Sequence, residues 1–337
     1  MTNTICSIFE GFPYGVVGVS LLIVIVFLLL ANMPTTKQMI AFQKGRVAMR
    51  KGDYDKAILE FDKVLKIDPK DAEALNYRGN SYFAKGEFDK AIEDFGEAIP
   101  LDPESKIAAI NRGLAYYAKG DYDKAVVSFN KIIWADPKNV QAYFNRGRAY
   151  TAKGEHDQAI EDYSEAIQIN PNHILAYSGR ASSYFAKDDF KKAITDFSAV
   201  IRLNPKDVTA YLNRSKALQA KGDHDMAIED LNEVIRLEPN DWHSNNDLAW
   251  NLATCLKAEA RDGKKAVEYA RKSCELSEWN NPAAVDTLGV AYAEVGDFEQ
   301  AIKYVKQSLE LPNLREEDAA KVRHHLALFE EGKPYHE

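Results

Sequence analysis

Cysteine is scarce in this chain: Cys6, Cys255 and Cys274 are the three in 337 residues. They are too scattered for a disulfide framework, and no CxxC pair exists to hold zinc. Positive charge is also short, 43 Lys and Arg against 51 Asp and Glu for a formal charge of -8. That balance excludes a nucleic-acid binder held by a large phosphate-neutralising surface. There is no HExxH, no GxSxG and no glycine-rich loop between strand and helix, so the chain reads as a non-enzyme that needs no cofactor and no metal. Disorder is excluded by what is plentiful: 46% of residues are hydrophobic and 11% aromatic, including 17 Tyr and 15 Phe.

Charge is absent altogether between Glu10 and Lys37, and the sixteen residues from Val16 to Ala31 read VVGVSLLIVIVFLLLA. At 1.5 Å per residue, residues 12–33 would cover about 30 Å, the hydrocarbon thickness of a bilayer. The stretch predicts a transmembrane helix over 12–33 behind an N-terminal tail of 1–11. A cleaved signal peptide fits less well, because no Lys or Arg precedes the apolar core and no A-x-A site follows it. Lys37, Lys44, Arg46, Arg50 and Lys51 follow the stretch while Glu10 precedes it, so the positive-inside rule places the remainder in the cytoplasm. The expectation is a single-pass membrane protein. The same cations on the solvated face of a following helix would have no such meaning.

Beyond that stretch a period governs the chain. Pro69, Pro103, Pro137, Pro171, Pro205 and Pro239 each lie 34 residues after the last. Gly52, Gly86, Gly120, Gly154 and Gly222 keep the same step, with Asp188 standing in once, and so do Ala57, Ala91, Ala125, Ala159, Ala193 and Ala227. Within one unit, residues 72–84 place Leu75, Gly79 and Tyr82 on one helical face, and Lys85-Gly86 ends the helix. Residues 89–101 put Ala91, Ile92, Phe95, Ala98 and Ile99 on the matching face of a second helix, which Asp102-Pro103 stops. Small Gly79 and Ala91 allow close approach. A helix pair of this kind leaves its other face bare, so neighbouring pairs must stack.

Gly79, Tyr82, Gly86, Ala91, Phe95 and Pro103 together resemble the tetratricopeptide repeat, and the match recurs as Gly113, Tyr116, Gly120, Ala125, Phe129, Pro137 and as Gly147, Tyr150, Gly154, Ala159, Tyr163, Pro171. The resemblance implies an all-α fold, a right-handed α–α superhelix or solenoid, here preceded by the transmembrane helix. Residues 38–241 read as six regular units, the first of them a capping unit with Ala48 where later units have Tyr. Residues 242–281 form a divergent seventh with about five residues inserted around Ala258 to Asp262, and 282–312 an eighth. Residues 315–332 read as a capping helix with Ala319, Val322, Leu326 and Phe329 on one face, ended by Gly332.

The family binds peptides in the concave groove formed by its first helices. The corresponding columns here carry Asn76, Asn80, Phe83, Ile107, Ile110, Leu114, Tyr117, Phe144, Arg148, Phe185 and Lys216. An apolar middle flanked by Arg148 and Lys216 suits a segment with an apolar core and an acidic flank. Asn76, Asn80 and Asn111 match part of the clamp with which some members grip acidic chaperone C-termini, but the Lys partners are replaced by residues such as Ile107 and Ile110. That activity is therefore not carried over.

The reading is a membrane-anchored scaffold or adaptor for protein or peptide partners, with no nucleic-acid role and an oligomeric state left open. The alternative is an architectural or regulatory subunit of an envelope assembly, secretion or pilus-type machine. Three other features have bland readings. Arg78, Arg112, Arg146, Arg180 and Arg214 keep the 34-residue step, as do Asp94, Asp162, Asp196 and Asp230, which predicts a structural ladder of bidentate pairs. Cys255 and Cys274 are expected as buried free thiols. His324 and His325, about 100° apart on a helix, are expected to be solvated rather than metal-binding.

Overall fold

The computed structural model describes residues 33–336, which are all-α: seventeen α-helices and one short 3-10 turn, with no strand among the described residues. They divide into two compact units between Lys153 and Gly154.

The N-terminal unit holds α1 (Pro34–Arg50), α2 (Tyr54–Ile67), α3 (Ala72–Ala84), α4 (Phe88–Leu101), α5 (Ile107–Lys119), α6 (Tyr122–Ala135) and α7 (Val140–Lys153). Aspartates start many of these helices: the side chains of Asp53, Asp71 and Asp121 accept from the backbone N–H three residues on, satisfying a donor that the first turn leaves open. Gly120 closes α5 at φ 86°, a left-handed conformation that glycine adopts without penalty. In the same turn position of the C-terminal unit, Asp188 holds φ 57°.

Helices within a pair meet where the first has no side chain. A Cβ built on Gly45, Gly79 or Gly113 would lie 2.7 Å from the ring of Phe61, Phe95 or Phe129 respectively. Those three rings are fully buried. Each ring therefore occupies the volume that any larger first-helix residue would claim. Around them the core is built from alanines with 0% exposure, among them Ala57, Ala91, Ala115 and Ala125.

The C-terminal unit continues with α8 (His156–Ile169), α9 (Ile174–Ala186), α10 (Phe190–Leu203), α11 (Val208–Lys221), α12 (His224–Leu237), α13 (Trp242–Thr254), α14 (Gly263–Leu276), α15 (Pro282–Glu294), α16 (Phe298–Glu310) and α17 (Glu316–Glu330). The inserted residues between α13 and α14 form the 3-10 turn Ala258–Ala260, and Arg261 anchors it by donating from Nε to Glu294 at 2.8 Å and from a terminal nitrogen to the Cys255 carbonyl at 2.7 Å. Cys255 and Cys274 are buried free thiols, as expected. Burial pushes the Cys274 thiol up to about 12, so it is a packing residue whose S–H faces the Ala284 carbonyl at 3.3 Å. The amphipathic α17 buries Ala319, Val322 and Phe329 and ends before Gly332 at φ 73°.

Two charge ladders tie successive pairs. Arg78 forks onto Asp94 with bonds of 2.9 and 2.6 Å, and Arg180 and Arg214 do the same with Asp196 and Asp230. Each Arg also reaches back to the preceding second helix, to Asp62, Ser164 and Ser198 respectively. The expected ladder is thus present at these rungs, but Arg112 departs from it. Ser128 stands where its Asp would be and Gly96 where its second acceptor would be, and its buried Nε has no hydrogen-bond partner among the described residues. The second ladder joins Lys85 to Asp55, Lys119 to Asp89, Lys153 to Asp123 and Lys187 to Asp157 across a constant sequence step of 30. It is solvent-exposed, so water and salt screen each pair.

The single-pass membrane localisation, with cytoplasmic repeats, needs correction. Among the described residues no helix is long and apolar enough to cross a membrane. The helices run from 13 to 17 residues, about 20 to 26 Å at 1.5 Å per residue, and each carries polar side chains on its outer face. The expected transmembrane helix over 12–33 lies, but for Met33, outside the described residues.

Two substitutions test this packing. Gly113→Val drives a side chain into the Phe129 ring and is expected to destabilise the chain by about 1 to 3 kcal/mol. Hydrogen exchange should then accelerate in α3 to α6 together, since each pair is supported by its neighbours; acceleration confined to α5 contradicts that coupling. Ser128→Asp restores the missing acceptor to Arg112 and is expected to stabilise by about 1 kcal/mol, read as a raised Tm; a lowered Tm shows that burying the new carboxylate outweighs the pair.

Candidate functional site

The first helices of the N-terminal unit carry nine of the eleven expected groove residues: Asn76, Asn80 and Phe83 on α3, Ile107, Ile110, Leu114 and Tyr117 on α5, and Phe144 and Arg148 on α7. The asparagines cluster, since Asn111 donates from Nδ2 to both Asn76 Oδ1 and Asn80 Oδ1 at 3.1 Å. They crosslink adjacent first helices and are half-buried. The Arg148 guanidinium lies 4.6 Å from the centre of the Tyr117 ring and 5.8 Å from that of Phe144, stacking contacts that hold it on α7 beside α5. Ile107 is 60% exposed at the start of α5, while Ile110, Leu114 and Tyr117 are half-buried. The result is a surface with an amide end, an aliphatic middle and a cation seated on aromatic rings.

Part of this column is architectural. Phe83 packs edge-on against Phe88 at 5.5 Å, and Tyr117 lies tilted against Tyr122 at 5.4 Å, each ring resting on the first residue of its own second helix. In the C-terminal unit Phe185 repeats the contact with Phe190 at 5.4 Å, and Lys216 stands exposed on α11. These rings thus brace the turn between helices while presenting one face outward.

The C-terminal unit also contains a cavity of about 860 Å³ among α13, α15 and α17, into which Asp247, Trp250, Asp286, Lys321, His325 and Tyr335 face. Here His325 overturns the expectation of a solvated side chain. It is 4% exposed, and its Nδ1 lies 3.0 and 3.2 Å from the Asp286 carboxylate oxygens. His324 is exposed, as expected. Adjacent positions on a helix point in different directions, and the direction of His325 is the one that α15 covers. Tyr335, from the segment after α17, packs on His325 at 4.6 Å and on Trp250 at 5.9 Å, and His336 meets Glu294 at 2.7 Å. Sequence periodicity missed this site because its residues come from the part of the chain where the 34-residue step is interrupted. No group of three or more metal-ligating side chains occurs among the described residues.

The fold and these surfaces define a helical-repeat protein. Family models described as tetratricopeptide repeat match residues 42–106, 78–133, 140–173, 208–241 and 284–313, and one described as TPR repeat matches 181–222. The chain belongs to the tetratricopeptide repeat family. No protein of curated description matches it. Among solved structures, MamA is 31% identical over 50% of this chain and 93% of its own, with a TM-score of 0.46. PilW, a type IV pilus biogenesis factor, is 22% identical over 63% and 98%, with a TM-score of 0.55. YrrB, described as a TPR protein with an unusual peptide-binding site, is 19% identical over 58% and 96%, with a TM-score of 0.50. At these identities PilW and YrrB share the fold.

The buried histidine gives a direct check on the site. Asp286→Ala leaves His325 buried without its partner and is expected to cost about 1 to 3 kcal/mol, measured by denaturant unfolding. No loss of stability would mean that the pair is replaced by other contacts in the cavity.

Proposed function

We propose that the chain is a non-enzymatic scaffold that binds a protein or peptide segment along the first helices of its N-terminal unit. The observation that carries this reading is the Arg148 guanidinium poised over Tyr117 and Phe144, next to half-buried Ile110 and Leu114. One terminal nitrogen of Arg148 donates to Asn145 Oδ1 at 3.2 Å, which leaves further N–H donors for a carboxylate, and the aliphatic strip beside it offers apolar burial. A segment with an apolar core and an acidic flank matches both. The Asn76, Asn80 and Asn111 amides supply backbone hydrogen bonds to an extended segment at the other end. The peptide-binding site that the description of YrrB records gives the same use of the fold in another protein. Residues 38–241 serve as the six regular units of this scaffold, with 242–281, 282–312 and 315–332 completing it.

Tyr117→Ala and Phe144→Ala are each expected to weaken capture of a partner segment by about 1 to 3 kcal/mol, with Tm changing less than binding does. Arg148→Glu should weaken it further at low salt than at high salt, because the lost attraction is screened. Unchanged capture by all three folded variants removes these helices from the binding surface.

A further inference from the structure

The cavity in the C-terminal unit contains more hydrogen-bond acceptors than donors on its α13 wall. On α15, Asp286 is matched by His325. On α13, Asp247 has no cation within ion-pair distance among the described residues: the Asn246 side chain hydrogen-bonds to it, and Lys216 and His243 act on it through the longer-range field. Burial raises its carboxyl pKa from the ordinary aspartate value. Beside it, Asn246 Oδ1 is buried and has no hydrogen-bond partner. One turn further along α13, Trp250 adds a ring face, tilted 48° to the Tyr335 ring at 5.9 Å.

A carboxylate, an unpaired amide oxygen and two aromatic faces within one cavity are complementary to a planar cation with several N–H donors. An ammonium donates to the carboxylate as a point charge. A guanidinium can fork onto Asp247, donate to Asn246 Oδ1 with its remaining edge and stack on Trp250. The far wall carries both signs of charge, Asp318 and Lys321 among them. Arg315 on that side is held by Glu317 and Asp318 at 2.6 and 2.7 Å, while Lys321 faces the cavity from α17. Lys321 repels a cationic head from its part of α17 and favours its seating on the α13 side.

We propose that this cavity is a binding site for an arginine side chain carried by a partner protein, its guanidinium seated between Asp247 and Asn246 Oδ1 and flanked by Trp250. The site lies in a different unit from the surface assigned above and recognises the opposite charge, so each stands without the other.

The test uses the full-length chain with N-acetyl-arginine methylamide as the probe and the citrulline analogue, equal in shape and uncharged, as the control. Binding is followed by the Trp250 indole N–H resonance. The arginine probe is expected to shift it saturably, the lysine analogue to bind more weakly, and the citrulline analogue to bind at least tenfold more weakly. Asp247→Asn should lower affinity for the arginine probe at least tenfold while Tm stays the same or rises, which separates a binding role from a structural one. Lys321→Glu, on the exposed far wall, should tighten binding severalfold and keeps the test independent of any folding defect in the first variant. Tyr117→Ala should leave the titration unchanged. The absence of a saturable shift, equal binding of arginine and citrulline, full affinity in Asp247→Asn, or weaker binding in Lys321→Glu would each overturn the proposal.

Discussion

Everything in the N-terminal unit depends on one steric constraint: a phenylalanine ring on the second helix occupies space that exists only because the first helix has a glycine opposite it. Gly45 with Phe61, Gly79 with Phe95 and Gly113 with Phe129 repeat the contact. Backbone and ring meet at van der Waals distance, so the separation of the two helices is fixed by the ring. With that separation fixed, the second helix can direct its carboxylate onto the Arg that precedes the glycine. The turn between the helices then has to be short, which is why a glycine with positive φ follows the first helix. Cores of this kind are local, and hydrophobic clusters such as the one around Phe129 and Ala142 involve adjacent pairs. Stability accumulates by neighbours rather than around a single centre.

The strength of the two charge ladders follows from where they lie. Arg78, Arg180 and Arg214 meet carboxylates that are at most 6% exposed, and the fork geometry supplies two bonds for each buried charge. Removing one partner strands the other, so this ladder carries specificity for the register of the pairs. The Lys–Asp ladder has Asp side chains that are 74% to 83% exposed, where water competes for every bond. It shapes the surface more than it stabilises it. Arg112 shows the buried ladder interrupted at one rung, with nothing in the neighbouring second helices to replace its acceptors.

The elements were legible in the sequence where repetition reported them. Helix ends at Ala84 and Leu101, the caps, the small-residue contacts and the Arg–Asp forks all follow from residues that recur at one step and obey local rules. The Lys–Asp ladder recurs equally, but its partners belong to different units 30 residues apart, and a search for alignments at the repeat length alone passes over it. Burial of His325 and the α13 cavity were not legible. Both depend on how α17 and the segment after it cover α13 and α15, a non-recurring arrangement for which periodicity has no counterpart. The groove columns were placed on the first helices by register, whereas the bracing contacts of Phe83, Tyr117 and Phe185 emerge only when the second helices are present. Hydropathy gave a membrane localisation that no described helix supports.

The 3-10 turn at Ala258–Ala260 behaves as a stacking fault in an otherwise regular lattice. On its N-terminal side, the packing glycines and alanines and the turn prolines recur at one 34-residue step. Past the fault, Ala266 arrives five residues late relative to Ala227, and every column behind it is shifted out of phase. The helix before the fault, α13, is still in phase with the preceding first helices, and the shift begins at α14. One chain thus carries a periodic array and an aperiodic cavity that bridges the fault, with α13 before it and α15 and α17 after it.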